Sequence, residues 1–540
     1  MTARDVGVLP ATVPPATVLP ATVPELLTFQ AARQPDADFA LLDGGRRVSW
    51  GEMLERAGRC AAGLAALGVG PGDTVVIALG NRLEFLETWF ALALLGAVEV
   101  PINPELVGAR LLYVLNHARA RVAVVEPTPA ERIARLSGEL VTLEHIVVPD
   151  WAAAARPGVT TSSFAELSAG STAYRRHPAK ASDLSAVLYT SGSSGPPKGV
   201  MVPYGQHLAN ARQACAAASI TGSDVLYLCL PLHHNMAQGY GILPALLAGC
   251  AVRLAPRFER ARFWSDVIDC GATVWPFVGG LLSLLAQAPA RPDDAANPLR
   301  VAYGVPVPEA LHRPFENRFA LRLVHGYGST EATIPVWSTG ECPPGAAGQV
   351  LPDYEVRVLD HGDREVAAGV TGEICVRPRV PYTIFSGYFR DAERTVSAWR
   401  NLWFHTGDRG LLDDSGRLWF RGRAGDVIRR FGEFIDAEEI EAAAATHEGV
   451  ADVACVGVDD TVSGQEVLVV ATPRAGASLD PAELRGWLAQ RLPPYATPRY
   501  VRMDDEIPRT PTGKIERYKI RAAGLTPGTF DARDNERQTL

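Results

Sequence analysis

The pattern of apolar residues is the feature that most limits the folds open to this chain. From Trp50 onward, apolar runs of four to six residues alternate with helix-length amphipathic segments. Thr74 to Leu79 and Val98 to Ile102 are typical of strands, and Glu84 to Leu95 between them is typical of a helix. Alternation of this kind predicts an α/β fold with layered, largely parallel sheets.

The chain is also too long to fold around one hydrophobic core. Cores stop growing at about 250–300 residues, whereas this chain has 540 residues, of which 47% are hydrophobic. Residues 373–376, and the turn-rich residues 413–416 between two short apolar runs, indicate antiparallel strands and a hairpin. We therefore expect a large N-terminal domain of layered α/β sheets with a small β-barrel-like part, followed by a small, charge-rich α+β domain.

The expected domain boundaries follow from proline and glycine. Residues 1–24 contain the sequence Leu-Pro-Ala-Thr-Val-Pro twice, and this proline density predicts a flexible tail. Residues 25–424 form the predicted N-terminal domain, and residues 425–540 form the predicted C-terminal domain. Gly422 and Gly425 relax the backbone at the boundary, so we expect the C-terminal domain to be mobile.

Composition argues against several classes of protein. The net charge is −8 and the basic residues are not clustered, which argues against nucleic-acid binding. The sequence has no uncharged run of 18 or more apolar residues, so we expect no membrane span, and the N-terminus lacks a signal-peptide pattern. The eight cysteines show no Cys-x-x-Cys spacing, as is typical of reduced thiols. We expect a soluble, cytoplasmic monomer or homodimer.

A candidate phosphate-binding loop follows the strand-like run Leu184 to Tyr189. Residues 190–199 read Thr-Ser-Gly-Ser-Ser-Gly-Pro-Pro-Lys-Gly, and such small residues leave backbone N–H groups and hydroxyls open to an anion. The spacing differs from the Walker A loop, in which lysine directly follows the last glycine. In isolation the stretch is also typical of a flexible loop. The predicted phosphate-binding residues are Thr190, Ser191, Gly192, Ser193, Ser194, Gly195 and Lys198.

Three further motifs follow this loop in order. Residues 327–331 read Tyr-Gly-Ser-Thr-Glu, residues 405–408 read His-Thr-Gly-Asp, and residues 508–514 read Pro-Arg-Thr-Pro-Thr-Gly-Lys. Together with the loop they resemble the acyl-adenylate-forming synthetases, a superfamily of acyl-CoA ligases, peptide-synthetase adenylation domains and luciferases. The resemblance extends from about residue 25 to about residue 522, and residues 100–104 and 514–519 are most similar to bacterial acyl-CoA ligases of the carnitine/crotonobetaine or fatty/aryl-acid type.

The resemblance implies an enzyme that uses ATP and Mg²⁺. Lys514 is implied as the catalytic cation, because a positioned ammonium stabilises the charge that develops when a carboxylate attacks the α-phosphate of ATP. Glu331 is implied as the magnesium ligand, since Mg²⁺ favours one or two carboxylate oxygens together with phosphates and water. The other implied nucleotide contacts are Tyr327 and Gly304 for adenine, Thr330 for the α-phosphate, and Asp408 and Arg423 for the ribose.

The resemblance also implies an acyl pocket and a path for CoA. His234 matches the position between the pocket and the pantetheine tunnel, and Gly432 lies on the loop that lines the CoA path. A zinc site at His233 and His234 is disfavoured, because adjacent histidines seldom point to one ion. Apolar and aromatic walls suit a carbon skeleton, and no acidic residue in these segments faces an α-ammonium group. The implied pocket residues are Trp275, Pro276, Phe277, Gly279, Tyr303 and Thr333.

Two departures from the family pattern leave the acyl acceptor open. Gly425 stands where relatives have a charged pivot, and residues 431–434 read Phe-Gly-Glu-Phe where many CoA ligases have Gly-Gly-Glu-Asn. The predicted function is ATP-dependent activation of a small-molecule carboxylic acid to an acyl-adenylate, followed by transfer to CoA. The alternative is an adenylate-forming enzyme of secondary metabolism with another acceptor, such as an ATP- and nitrite-dependent aryl-amine diazotase.

Overall fold

The computed structural model describes residues 20–149, 159–170, 173–190, 197–339, 342–423, 427–430, 433–460, 463–492, 496–510 and 515–533. Several sequence predictions fall outside these ranges. They concern most of the tail at 1–24, Ser191 to Gly195 of the predicted phosphate loop, Gly425, Gly432 and Lys514. The side chain of Arg423 also lies outside the description.

Most helices connect strands, as the alternating pattern predicts. The second helix begins where the Ser49 side chain accepts a hydrogen bond from the Glu52 N–H at 3.2 Å. The third ends at Gly96, whose φ of 71° is left-handed. The helices are α1 (Val23–Arg33), α2 (Trp50–Ala66), α3 (Leu83–Leu95), α4 (Gly108–Ala118), α5 (Pro127–Arg135), α6 (Phe164–Ser168), α7 (Tyr204–Ala218), α8 (Asn235–Ala237), α9 (Leu243–Ala248), α10 (Phe263–Asp269), α11 (Gly279–Ala286), α12 (Glu309–Phe319), α13 (Ala392–Ala398), α14 (Ala437–Ala445), α15 (Pro481–Ala489) and α16 (Arg517–Ala523).

The strands occur in two styles, an early set that alternates with helices and a later set that runs through short turns. They are β1 (Asp38–Leu41), β2 (Arg47–Ser49), β3 (Thr74–Ala78), β4 (Val98–Pro101), β5 (Val122–Val125), β6 (His145–Val148), β7 (Thr160–Ser163), β8 (Leu184–Thr190), β9 (Lys198–Pro203), β10 (Val225–Leu228), β11 (Ala251–Leu254), β12 (Val274–Val278), β13 (Val301–Val305), β14 (Arg322–Ser329), β15 (Thr333–Trp337), β16 (Gly348–Val350), β17 (Tyr354–Leu359), β18 (Gly372–Pro378), β19 (Trp399–Arg400), β20 (Trp403–Leu412), β21 (Arg417–Arg423), β22 (Val427–Arg430), β23 (Glu433–Asp436), β24 (Val450–Asp460), β25 (Gly464–Pro473), β26 (Tyr500–Met503) and β27 (Phe530–Asp531).

Two large sheets form the N-terminal part. A 7-stranded sheet has the order β7-β6-β5-β3-β4-β8-β9, and its strands are parallel except for β9. A 14-stranded sheet has the order β17-β18-β20-β21-β16-β15-β14-β13-β12-β10-β11-β1-β2, with β19 beside β20. Within it β1 and β10 to β14 are parallel, whereas β14 to β21 pair antiparallel. The strand pairing in this sheet therefore changes from parallel to antiparallel at β14.

A continuous hydrophobic core joins the two large sheets. It contains residues of α2, α3 and α7 together with inward-facing residues of β3 and β10 to β13. Trp50, Phe90, Leu228 and Tyr303 in this core are fully buried. Helices α4 and α5 cover the outer face of the 7-stranded sheet, and α10 to α12 cover the other face of the 14-stranded sheet. The 7-stranded sheet and the parallel part of the 14-stranded sheet are thus buried on both faces, which explains the unbroken apolar runs of their strands.

The C-terminal part has a sheet of its own. Strands β22 to β27 form a 6-stranded sheet in the order β23-β22-β25-β26-β27, with β24 beside β25. Helices α14 and α15 pack on one face. The C-terminal part contacts the N-terminal part where Arg110 Nη2 on α4 donates a hydrogen bond to the Tyr518 hydroxyl at 3.0 Å. None of the helices in the described ranges has the length and apolar character needed to cross a membrane.

The predicted fold class is confirmed: a large α/β domain precedes a smaller C-terminal domain. Each of the eight cysteines is a free thiol. The motif at 327–329 forms the last part of β14, which ends at Ser329. The mobility of the C-terminal domain and the exact domain boundaries stay predictions.

Candidate active site

Two paired strands support the predicted phosphate loop. β8 ends at Thr190 and β9 begins at Lys198, and these two residues are partners in the antiparallel pair. The Thr190 hydroxyl is buried and has no hydrogen-bond partner among the described residues. Because a buried polar group normally has a partner, this hydroxyl is placed to bind a ligand group that enters the loop.

A carboxylate with one cationic partner lies beside this loop. Lys198 Nζ lies 3.3 Å from Glu331 Oε1, and it donates a hydrogen bond to the Tyr388 hydroxyl at 3.2 Å. The Tyr388 hydroxyl in turn donates to Glu331 Oε1 at 3.1 Å. The Glu331 side chain is only 9% exposed, so its charge acts at short range on whatever enters the loop.

The donor set at Glu331 fits magnesium held jointly with a nucleotide. Glu331 offers one carboxylate, and Mg²⁺ takes its remaining ligands from phosphates and water. Within the described ranges, the one group of three or more metal-ligand side chains lies elsewhere, at Glu373, Cys375 and His405. Glu331 would therefore hold the ion together with the phosphates rather than within a cage of protein ligands.

A tight turn between β14 and β15 presents Thr330 and Glu331. A Cβ atom at Gly328 would lie 1.9 Å from the Thr333 carbonyl oxygen, so only glycine permits this approach of the two strands. Gln206 Nε2, on α7, donates a hydrogen bond to the Thr330 carbonyl oxygen at 2.7 Å. This contact fixes the turn against α7 and leaves the Thr330 and Glu331 side chains at the sheet edge.

The predicted adenine and ribose residues are brought together. The Tyr327 hydroxyl donates a hydrogen bond to Asp408 Oδ2 at 2.9 Å, and the Tyr327 ring stacks on Phe420 with 5.8 Å between centroids. Asp408 on β20 is the register partner of Arg423 on β21. The sheet thus gathers residues from β14, β20 and β21 at one place, as the motif order predicts.

A buried cluster beside Asp408 supports its loop. His405 Nδ1 lies 2.9 Å from Glu373 Oε2 and 3.4 Å from Cys375 Sγ, and the Gly407 N–H donates to Glu373 Oε1 at 3.1 Å. Arg400 Nη2 lies 2.8 Å from the same His405 nitrogen. Because a guanidinium already occupies the position of a shared cation, we interpret the cluster as structural support for residues 405–408.

Two glycines let the strands approach closely near the predicted adenine contact. A Cβ atom at Gly304 would lie 2.0 Å from the Phe277 carbonyl oxygen, and one at Gly279 would lie 2.4 Å from the Pro306 carbonyl oxygen. Gly304 is therefore required by the packing of β12 against β13. Its predicted role beside adenine stays a prediction.

Tyr303 and Thr333, both predicted for the acyl pocket, share a buried polar network. The Tyr303 hydroxyl donates to the Tyr240 carbonyl oxygen, and the Tyr240 hydroxyl donates to Gln213 Oε1 at 3.1 Å. Gln213 Nε2 donates to Thr333 Oγ1 at 3.3 Å. Sequence reasoning missed this network; the only signal for it is the spacing of polar residues along α7, Gln206, Asn210 and Gln213.

Trp275 and Phe277 are not brought to this network. Both are fully buried in the cluster under α10 to α12, and the Trp275 ring lies 4.6 Å from that of Phe263. The residues of β12 that face the same core as Tyr303 are Val274 and Val278. The prediction that Trp275 and Phe277 line the acyl pocket with Tyr303 disagrees with this placement, because alternate residues of a strand point to opposite faces.

His234 is half-buried and uncharged near neutral pH. Burial lowers the pKa of His234 to about 4, and its ring centroid lies 4.3 Å from that of His233. The loop that carries both is tied down by Asn81, whose Oδ1 accepts from the Leu232 N–H at 2.9 Å. A neutral His234 ring adds no positive charge at this position.

The sequence matches the AMP-binding enzyme family over residues 27–389, and the C-terminal domain of that family over residues 439–514. A crotonobetaine/carnitine–CoA ligase of Salmonella enteritidis PT4 is 30% identical over 488 residues, which cover 88% of this chain and 93% of that protein. The match is therefore nearly end to end in both proteins.

Solved structures show the same architecture. The structure of ATP-bound MatB from Rhodopseudomonas palustris superposes with a TM-score of 0.83 at 26% identity and covers 92% of this chain and 98% of that chain. An o-succinylbenzoate CoA synthetase of Bacillus subtilis, with its acyl-adenylate intermediate, has a TM-score of 0.78 at 24% identity and covers 92% and 97% of the two chains.

Proposed function

We propose that this chain, which belongs to the AMP-binding enzyme family, converts a small-molecule carboxylic acid to its acyl-adenylate with ATP and then transfers the acyl group to CoA. The prediction of an AMP-forming ligase is confirmed. The observation that carries the proposal is a pair of contacts between the predicted motifs: Lys198 on β9 pairs with Glu331 in the turn after β14, and Tyr327 on β14 bonds Asp408 on β20.

In the first step, the residues of these motifs hold the nucleotide for attack at its α-phosphate. Thr190 and Lys198 bind the β- and γ-phosphates from the ends of β8 and β9, and Glu331 holds magnesium with them. Asp408 accepts hydrogen bonds from the ribose, and the Tyr327 ring lies against adenine. Each contact stabilises negative charge or fixes the nucleotide, as phosphoryl and adenylyl transfer requires.

Lys514 completes this site in our proposal. Its ammonium group would reach the carboxylate and the α-phosphate and stabilise the charge that accumulates on both. Tyr518, which follows Lys514 by four residues, contacts Arg110 of the N-terminal part. This contact supports an arrangement in which the segment before α16 reaches the nucleotide.

In the second step, the acyl group leaves AMP for the CoA thiol. His234, which is uncharged near neutral pH, lies at the boundary between the acyl pocket and the pantetheine path. Because its ring is neutral, it hinders the passage of the uncharged pantetheine arm of CoA little. Gly432 keeps that path open. The relatives described above that carry an activity in their names are CoA ligases or synthetases, which supports CoA as the acceptor.

The test is a pyrophosphate-release screen of carboxylic acids with ATP and Mg²⁺, with and without CoA, followed by mass spectrometry of the products. We expect acyl-AMP without CoA, and an acyl-CoA thioester and AMP with it. A parallel arm contains nitrite and aryl amines. If turnover requires nitrite and an aryl amine, and CoA enters no product, the ligase proposal is wrong and the diazotase-like alternative replaces it.

A variant separates the two steps. Gly432→Leu would narrow the pantetheine path, so we expect normal ATP–pyrophosphate exchange but at least tenfold slower thioester formation. Gly486→Leu is the matched control, because Gly486 lies on α15 and a Cβ atom there meets no other atom within 4 Å. Equal rates for both variants in both steps would contradict the assignment of Gly432 to the CoA path.

A further inference from the structure

Glu99 differs from the other buried glutamates in the described ranges. It is fully buried on β4, and its carboxyl group has one hydrogen-bond partner, Gln238 Nε2 at 3.1 Å from Oε2. By contrast, Glu87 contacts Arg56. The remaining buried glutamates contact lysine or arginine as well, Glu331 with Lys198, Glu466 with Arg430 and Glu516 with Lys519. A buried carboxyl group without a cation is costly, and its presence needs a reason.

The neighbours of Glu99 also lack partners. The buried atoms Glu99 Oε1, Gln238 Oε1, Tyr204 Oη and His207 Nε2 have no hydrogen-bond partner among the described residues. His207 Nδ1 is 3.1 Å from Ser185 Oγ, so these side chains, from β4, β8, α7 and the turn after α8, surround one region between the sheets. Unpartnered polar atoms that converge in this way indicate a polar ligand group or trapped water.

This region and the acyl side of the site are bordered by the same two segments, α7 and the residues that follow His234. The Gln238 N–H donates to the His234 carbonyl oxygen at 3.2 Å, which places Gln238 one helical turn beyond the predicted gate residue. On the facing wall, Asn210 follows His207 by one turn of α7, and Asn210 Nδ2 donates to Asn235 Oδ1 at 3.1 Å. Gln238 thus contacts both the backbone of the predicted gate residue and the carboxyl group of Glu99.

We propose that Glu99 and Gln238, with Tyr204 and His207 beside them, form an inner subsite that binds a hydrogen-bond-donating group, a hydroxyl or an amine, at the far end of the acyl substrate. The inference rests on the proposed function and names the substrate class for the same site. Burial raises the pKa of Glu99 well above its usual value, so its carboxyl group is protonated and can donate as well as accept, whereas the free Gln238 oxygen accepts. A hydroxyl or amino group can bond both, whereas a methyl group leaves them unpaired. Sites of this kind discriminate strongly against analogues that lack the polar group.

The test compares acids in matched pairs. Each pair has the same number of heavy atoms and ends in either a hydroxyl or amino group, or a methyl group, and the pairs span several chain lengths. The measurement is the ratio of kcat/KM values in ATP–pyrophosphate exchange, which does not depend on the fraction of active enzyme. For the unaltered protein we expect the polar acid to be favoured at least tenfold at one chain length.

Variants assign this preference to the subsite. Glu99→Leu should bring the ratio to one or below, and Gln238→Leu should reduce it at least threefold. The second variant keeps the proposal testable if the first does not fold. Glu87→Gln is the matched control, because Glu87 is also a buried glutamate but lies outside the subsite, and its ratio should equal that of the unaltered protein.

The outcomes are distinct. Exchange with several acids at a ratio near one for every chain length, or a ratio that both leucine variants leave unchanged, would overturn the subsite and indicate that the region holds only water. Absence of exchange with every acid tested would overturn the proposed function and the subsite with it. A shift of preference toward methyl-terminated acids in Glu99→Leu would support both.

Discussion

The nucleotide side and the acyl side of the candidate site are built in different ways. On the nucleotide side, Lys198 begins β9, Glu331 lies in the turn after β14 and Asp408 lies within β20. Each contacts another polar side chain. On the acyl side, Tyr303 and Thr333 are fully buried and belong to a network that runs through the protein interior. Changes on the nucleotide side should therefore affect every acid equally, whereas changes on the acyl side should alter the choice among acids.

The largest effect should come from Lys514→Ala. Removal of one group that stabilises transition-state charge costs about 10²- to 10³-fold in rate, so we expect that loss in pyrophosphate release for every acid, with ATP affinity largely retained. Lys519→Ala is the matched control, since the Lys519 side chain is 52% exposed and pairs with Glu516. A folded Lys514→Ala protein with a normal rate would show that the catalytic cation lies elsewhere.

Glu331→Gln should have the next largest effect. The substitution keeps the shape but removes the charge that faces Lys198 and the phosphate loop, and hydrogen bonds to charged groups contribute about 1.5–3 kcal/mol. We expect kcat/KM to fall about 10- to 100-fold, by the same factor for each acid, with weaker dependence on magnesium concentration. The exposed Glu365→Gln serves as control, because Glu365 pairs with Arg357 at the surface. If the fall in kcat/KM differed between acids, Glu331 would also influence the choice among acids, and the division of roles between the nucleotide side and the acyl side would be wrong.

Tyr303→Phe should change preference more than rate. The Tyr303 hydroxyl donates to the Tyr240 carbonyl oxygen, and loss of a neutral hydrogen bond costs about 0.5–1.5 kcal/mol. We expect the ratio of kcat/KM values between two acids of different length to shift about 2- to 10-fold, because the aromatic wall of the pocket relaxes. Uniform change across all acids would indicate that Tyr303 only supports the fold.

Phe277→Leu, on the neighbouring strand, should change the stability of the protein but not its preference among acids. Phe277 points into the cluster under α10 to α12, with 5.5 Å between its ring centroid and that of Trp275, away from Tyr303. A buried substitution of this size costs roughly 1 kcal/mol, so we expect a lower free energy of unfolding and an unchanged preference among acids. Altered preference in a stable Phe277→Leu protein would restore Phe277 to the acyl pocket.

The sequence singles out the residues of the nucleotide side for a physical reason. Lys198, Glu331 and Asp408 lie in short Gly-rich motifs, where small residues and strand ends expose polar groups, and such local constraints are visible in the chain itself. On the acyl side, β12 is buried on both faces, so its apolar run carries no alternation that distinguishes Val274 from Trp275. Glu99 and Gln213 were missed because their partners come from other elements and are brought near only by packing.

The smallest and most local effect concerns His234 on the acyl side. Burial lowers the pKa of His234 to about 4 from the usual 6.5, so the unfolded chain binds more protons than the folded protein between these values. The stability that follows from the neutral ring is complete above pH 6.5 and is lost as the pH falls towards 4, at about 1.4 kcal/mol per pH unit within that window.

His234→Gln removes this titration. Between pH 6.5 and pH 5, the free energy of unfolding in urea should therefore fall by about 1.5 kcal/mol less in His234→Gln than in the unaltered protein. His361→Gln is a suitable control, since it is the same substitution at an exposed histidine. Identical pH profiles for His234→Gln and the unaltered protein would mean that His234 is accessible to protons in the folded state, and hence that the acyl side is open to solvent at its gate.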